Sequence, residues 1–386
     1  MAFFDVVMAR TCPKCQPFLP PLYAPPMEPV RPNYGRAWIG GIVPALLAGG
    51  DASWLPKGVS DAAGVVLLVC DGLGWELLDK HAGRMPTISA MSGGPITAAV
   101  PSTTSAGLTS IATGAAPGEH GLVGYRIRVG GEPLNVLRWQ VRGGPAPSTV
   151  QPIAPFLGHR VPVVTRAEFR SSGFTEAHLR DTVLIGWRTT SSLVEHCRRL
   201  ATDRHDLVYA YYDGVDKVAH EYGLHNEFLP AELAATDALV DQLLDNLPRN
   251  WVVLLTADHG QVHVEADDAV SLDAVAGMVA AYSGEGRFRT LHARSGAAAD
   301  LASACDQAYG ESAWVFTRER LFDEGWLGPV ASMEVRGRVG DVVLAAREPV
   351  IFLDPDVPQE SVMRSHHGSL TAAEVCVPLL AAPGRA

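Results

Sequence analysis

The chain is expected to fold as an α/β protein, with a mostly parallel central sheet flanked by helices and a small cap or insertion. Three observations predict this. Residues 64–70 and 251–256 are continuous apolar runs without polar alternation, as expected of strands covered on both faces. Residues 206–212 are similar, and helix-like stretches alternate with these runs. Between 206–212 and 251–256 lies a helix starting near Pro230, with Leu233, Val240, Leu244 and Leu247 on one stripe and Pro248 ending it. That sequence of elements is a βαβ unit, whose functional ends belong at the carboxyl edge of the sheet.

Taken in order, residues 1–30 read as a flexible Pro-rich tail, with Pro13, Pro17, Pro20, Pro21, Pro25, Pro26 and Pro29. Met27 is an alternative start to Met1. The catalytic domain is then expected over 31–386. The run 64–70 ends in Asp71-Gly72, which alone would be read as a turn-forming pair. Pro101-Ser102-Thr103-Thr104-Ser105 precedes a helix-like stretch over 106–113 closed by Gly114, so these hydroxyls stand at a helix N-terminus. Free N–H groups and the helix dipole there suit a phosphoryl group.

Residues 125–190 break the rhythm with Gly, Pro and the aromatics Tyr125, Trp139, Phe156 and Trp187, and are expected to form the cap. The aromatics offer faces on which a nucleobase could stack, although core packing explains such residues more often. Asp216 and His220 are four apart, one helical turn, so they can share a cation. Asp213 competes for the carboxylate role without that spacing. Asp258-His259-Gly260 ends the 251–256 strand, and packing explains a buried acid beside an imidazole poorly. Gly260 is expected to supply the turn's freedom.

Residues 262–360 continue the α/β pattern, with a helix over 296–309 and a strand over 340–345. His366-His367-Gly368 then precedes Thr371-Ala-Ala-Glu374, a capping box opening a short helix.

Composition narrows the partners. The 386 residues carry 42 acids against 31 bases, a net charge of −11 that repels nucleic-acid polymers. Small anions stay acceptable, because bound metal ions reverse a local field. No run approaches the ~18 apolar residues of a membrane span. The six cysteines (Cys12, Cys15, Cys70, Cys197, Cys305 and Cys376) are too sparse for a disulfide framework. Cys12-Pro-Lys-Cys15 lacks the second pair a zinc knuckle needs. With no secretory apolar segment at the start, the expected compartment is the cytoplasm. Oligomeric state is open.

Asp71, the Thr turn, Asp216-x-x-x-His220, Asp258-His259 and His367-Gly368 together resemble the alkaline phosphatase superfamily, and within it the nucleotide pyrophosphatase/phosphodiesterase branch. The resemblance is discontinuous but ordered, covering about residues 60–125, 205–262 and 362–370. The run from Pro101 to Gly114 matches that branch, and so does Pro117-Gly-Glu-His120-Gly121 after it. The resemblance implies an alkaline phosphatase-like core and Thr104 as nucleophile. It also implies a phosphate-oxygen contact at position 107, where the branch carries Asn and this chain has Gly107, so another donor such as the Ser105 N–H is expected to serve. It implies one metal ion held by Asp71, Thr104, Asp258 and His259, and a second held by Asp216, His220 and His367, with His366 the neighbour that could replace His367.

Two N/O-ligated ions with an open position suit zinc, and manganese or iron also fit. The implied reaction is hydrolysis of a small phosphodiester or nucleotide pyrophosphate through a phosphothreonine. The sulfatase branch is disfavoured for want of a Cys/Ser-x-Pro-x-Arg turn. A phosphomonoesterase is the nearer rival, and a non-catalytic, metal-binding anion sensor is the alternative from another class.

Overall fold

A computed structural model describes residues 28–139, 144–202 and 205–386. Cys12, Cys15, Met27 and nearly all of the Pro-rich segment lie outside the described residues. The backbone N–H of Val30 already bonds to the Leu370 carbonyl at 2.7 Å, so packing begins before the expected boundary at residue 31.

The central sheet has seven strands: β1 (Gly64–Cys70), β2 (Ser92–Thr97), β3 (Pro162–Arg166), β4 (Val183–Trp187), β5 (Leu207–Tyr212), β6 (Trp251–Thr256) and, far along the chain, the strand Cys376–Pro383. In space, Cys376–Pro383 lies between β2 and β6, and the order continues β1, β5, β3, β4. β6, β1, β5, β3 and β4 run parallel, while Cys376–Pro383 is antiparallel to both of its neighbours. β1, β5 and β6 are buried at every position, as their unbroken apolar runs predict. β1 sits between β5 and β6, pairing Val66 with Val208 on one side and with Val253 on the other.

Three helices matter for the site: α1 (Thr104–Thr113), α2 (Gly214–Tyr222) and α3 (Phe228–Asn246). α1 is buried along nearly its whole length and stops at Gly114, whose φ of 73° is the left-handed cap its position suggests. Pro230 lies in the first turn of α3, where a missing N–H is tolerated, and the helix ends before Pro248.

The expected cap divides differently. Arg126–Val129 and Glu132–Asn135 form a hairpin, but β3 and β4 belong to the central sheet. A separate four-stranded antiparallel sheet comes later: β7 (Val279–Glu285), β8 (Phe288–Ala293), β9 (Ala313–Thr317) and β10 (Val342–Ala346). Its order is β7-β8-β10-β9, and helix α4 (Ala298–Tyr309) packs on it through Leu301, Cys305 and Tyr309. Short polar-bounded strands such as Val183–Trp187 do not show from sequence alone whether they join the main sheet or cover it.

The two lobes are tied by buried ion pairs. Arg287 forks onto Glu374 at 2.8 and 2.9 Å, and Arg289 reaches Glu360. Glu374 also accepts from the Ser369 N–H at 2.9 Å and the Thr371 hydroxyl at 2.6 Å. The short helix α5 (Ala372–Val375) therefore begins as expected, but Glu374 serves the arginine rather than the Thr371 N–H of a capping box.

Candidate metal centre and nucleophile

Asp71, the Asp213–Asp216 turn and Asp258 follow the carboxyl ends of β1, β5 and β6, three adjacent parallel strands. Gly72 turns the chain just after Asp71 with φ of +73°, while the Asp216 backbone comes close behind it. Asp71 and Asp258 are buried, and so is His259. Gly260 plays a different part from the one expected: a methyl group there would collide with the Ala373 carbonyl, and its φ is not left-handed.

The His366-His367-Gly368 segment is delivered from far along the chain by two pairings. Ser365–His366 pairs antiparallel with Val262–His263, beside Asp258 and His259. Gly368 bridges to Ser102, whose N–H reaches the Gly368 carbonyl at 3.1 Å. Ser102 thus clamps the late segment to the turn that carries Thr104.

The seven residues expected to hold metal converge. The Thr104 hydroxyl, at the first position of α1, lies 3.1 Å from His259 Nε2. That same nitrogen is 3.4 Å from Asp71 Oδ1 and 3.6 Å from Asp258 Oδ2. His220 Nε2 lies 3.2 Å from Asp216 Oδ1. His367 stacks on His259 with ring centroids 3.7 Å apart and lies 5.3 Å from His220. Two sets of donor atoms could each grip one cation: Asp71, Asp258 and His259, and Asp216, His259 and His367. His259 reaches both, so the two groups implied by the resemblance meet edge to edge.

The hydrogen bonds around these side chains follow one rule. Nδ1 of His220, His259 and His367 lies against a backbone carbonyl, of Ser365 at 2.7 Å, Gly260 at 3.0 Å and Ser102 at 3.0 Å. Protonation at Nδ1 leaves Nε2 as a lone-pair donor in all three, the arrangement of metal-binding imidazoles. The carboxylates are half used in the same way. Asp71 Oδ2 accepts from the Tyr211 hydroxyl, and Asp258 Oδ1 accepts from the N–H groups of Gly72 and His259. Asp71 Oδ1, Asp258 Oδ2 and Asp216 Oδ1 are buried without a hydrogen-bond partner. Buried carboxylate oxygens left open in this way are costly unless a cation meets them.

The electrostatics agree. Burial first, then the charges of Asp258 and Asp216, push the Asp71 carboxyl well above its ordinary range. Burial likewise raises Asp258, with His259 opposing and Asp216 adding. Burial, then His259 and His220, hold His367 far below the usual imidazole value. A divalent cation relieves all three conditions at once.

Asp213, the competing carboxylate, is taken by Arg166 at 2.6 and 2.8 Å and by Lys217 at 2.7 Å. His366 is turned to the Met363 carbonyl at 3.2 Å, so His367 is the imidazole that joins the cluster. Gly107 packs against the chain that follows β6. A methyl group there would sit 2.6 Å from the Asp258 carbonyl oxygen, so its role is to let α1 approach the end of β6. Ser105 is fully buried, its hydroxyl without a partner. Phe156 and Trp187 are core residues and Trp139 packs against the core, which leaves Tyr125 as the expected aromatic that reaches the site.

A cavity of about 440 Å³ opens beside Thr104 and is also lined by Asp216, His220, His367, Tyr125, Arg138 and Glu285. Arg126, also in its wall, is paired with Asp354. Burial pushes Glu285 up to about 8, against a hydrogen bond from Thr103. The part played by Tyr211, Glu285 and Ser102 had no local signal: Tyr211 lies inside an apolar run, and Glu285 reaches the site from the second sheet.

The profile of the type I phosphodiesterase / nucleotide pyrophosphatase family matches residues 65–370. No curated protein sequence matches the chain significantly. Among solved structures, murine ectonucleotide pyrophosphatase / phosphodiesterase 5 is similar, with 15% identity, 84% of this chain and 88% of that one covered, and a TM-score of 0.67. An inactive threonine-to-alanine form of the murine protein in complex with AMP is similar at 14% identity, covering 82% and 87%, with a TM-score of 0.65. The human counterpart gives 14%, 82%, 87% and 0.64. At these identities the likeness establishes the fold.

Proposed function

The chain belongs to the type I phosphodiesterase / nucleotide pyrophosphatase family, and from that premise we propose that it hydrolyses a phosphodiester or nucleotide pyrophosphate through a phosphothreonine at Thr104. Asp71, Thr104, Asp258 and His259 would hold one divalent ion, and Asp216, His220 and His367 the other, with zinc the best match to this N/O donor set. The observation that carries this reading is the set of three buried, unpartnered carboxylate oxygens beside three imidazoles, each tied through Nδ1 to a carbonyl.

When bound, such ions supply the positive charge that lowers a hydroxyl's pKa and offsets charge developing on phosphoryl oxygens. Thr104 supplies the nucleophilic oxygen from the first turn of α1, where N–H groups not used within the helix can receive a non-bridging oxygen. The Thr104 Oγ1–P bond forms as the bond from phosphorus to the leaving oxygen breaks in line. Water then cleaves the phosphothreonine, restoring the hydroxyl and releasing a phosphomonoester. Tyr211, Ser102, Gly260 and Ser365 orient the acids and imidazoles through the hydrogen bonds described above.

A nucleotide is a fitting substrate, since one similar structure was solved with AMP. A diester, with a single negative charge, suits the lining better than a dianion. Arg126 is neutralised by Asp354, and Arg138 is the guanidinium in the lining without a carboxylate partner among the described residues. A reducing compartment fits Cys70, Cys197, Cys305 and Cys376, which are free thiols. In the zinc-loaded protein, Thr104→Ala should lower turnover of bis-p-nitrophenyl phosphate by at least about a thousandfold, with two equivalents of metal retained. Turnover at the wild-type level, or faster cleavage of p-nitrophenyl phosphate than of the diester, would overturn the assignment.

A further inference from the structure

The 440 Å³ cavity beside the metal-binding cluster is also lined by polar side chains that the reaction at Thr104 does not use. Two of its acids, Glu285 and Glu360, are each only 7% exposed, and each has a carboxylate oxygen, Oε1, with no partner among the described residues. Glu360 Oε2 is held by Arg289, and the Glu285 side chain packs beside Gly368.

Donors line the same cavity. The Tyr125 oxygen accepts from Asn135 Nδ2 at 2.7 Å, which leaves its own O–H free to donate. Arg138 lies beside it in the lining. Buried acceptors left open require donors from a ligand, and donors facing them require acceptors. An ammonium group suits the acids but not Arg138. A phosphate suits Arg138 but not the two acids. An alcohol hydroxyl donates and accepts at once, so neighbouring hydroxyls on one ligand satisfy both kinds of group.

We infer that this cavity is a polyol subsite, which seats the hydroxyl-bearing alcohol half of the substrate, a sugar or glycerol moiety, among Glu285, Glu360, Tyr125 and Arg138. The inference rests on the phosphodiesterase reading and names the class of alcohol it acts on. Pairing the subsite with the scissile phosphorus is geometrically direct, because Thr103 and Thr104 line the same cavity. Rejection of an analogue that lacks the hydroxyls follows, since it would leave the buried carboxylates open.

The test compares p-nitrophenyl phosphodiesters of glycerol, 1-propanol and choline on the zinc-loaded protein, and measures glycerol 3-phosphate and propyl phosphate binding by calorimetry. The glycerol diester should exceed the propyl diester in kcat/KM by at least about tenfold, with the same order in binding. In Tyr125→Phe and in Glu285→Leu that ratio should fall below about threefold. Equal rates and equal binding for glycerol and propyl compounds would overturn the subsite, as would preference for the choline diester or a ratio that survives both variants. If no diester is cleaved while glycerol 3-phosphate still binds more tightly than propyl phosphate, the hydrolase reading falls and the subsite stands. If the diesters are cleaved without preference, the subsite alone falls.

Discussion

Gly107 shows how a residue without a side chain shapes the site. It lets the helix that carries Thr104 come within van der Waals reach of the backbone at Asp258. Gly107→Ala places a methyl group 2.6 Å from the Asp258 oxygen, so either α1 or the end of β6 must shift. The expected cost is about 1–3 kcal/mol of stability, read from the urea midpoint. Activity should fall more steeply than stability suggests, because the shift separates Thr104 from Asp258. A variant that keeps wild-type turnover would show that the contact relaxes without moving Thr104. His120 makes the opposite case, a buried polar group that is fully satisfied away from the site. Its Nε2 lies 3.1 Å from the Ser110 hydroxyl, and its Nδ1 accepts from the Leu122 N–H at 3.1 Å.

At the level of elements, the second sheet is fastened to the main one through Arg287 of its β7–β8 turn. Arg287 and Glu374 are both fully buried, and Glu374 also holds the loop just after His367 through the Ser369 N–H. Arg287→Ala leaves that carboxylate buried and unpaired, at a cost of about 3–5 kcal/mol. Both thermal stability and zinc affinity should drop, measured by calorimetry on the same sample. A loss of stability with zinc affinity intact would separate the pair from the metal-binding loop.

What the sequence made legible follows from range. Asp71, Asp258 and His259 close long apolar strands, and Asp216 and His220 share one helical turn, so local pattern announces them. Arg287 with Glu374, Ser102 with Gly368, and the docking of Gly107 on Asp258 join residues tens to hundreds of positions apart. Only the folded chain pairs them. The aromatics show the same limit: Phe156 and Trp187 read as candidate stacking surfaces, yet burial puts both in the core.

Over the whole molecule, buried imidazoles set the acid side of stability. Burial holds His120 at about 3 and His178 at about 4, and His292 at about 4 with the same main cause. Each is neutral in the folded protein and gains a proton more easily once unfolded. The unfolded chain therefore binds more protons between the ordinary imidazole value, ~6.5, and these lower ones. Stability contributed by their burial is whole above pH ~6.5 and is lost as pH falls toward 4. In metal-depleted protein, His120→Gln should flatten the slope of the urea midpoint between pH 7 and 5. An unchanged slope would remove His120 from that account.

The strand Cys376–Pro383 lies between β2 and β6, which precede it by more than a hundred residues. During synthesis, then, the β6 edge of the half-built sheet stays open, and β2 lacks its partner strand, until this late segment emerges. That interval is when neighbouring nascent chains could insert a strand of their own, so the hazard of misassembly falls late in translation, at the very step that also brings the His367 segment to Thr104.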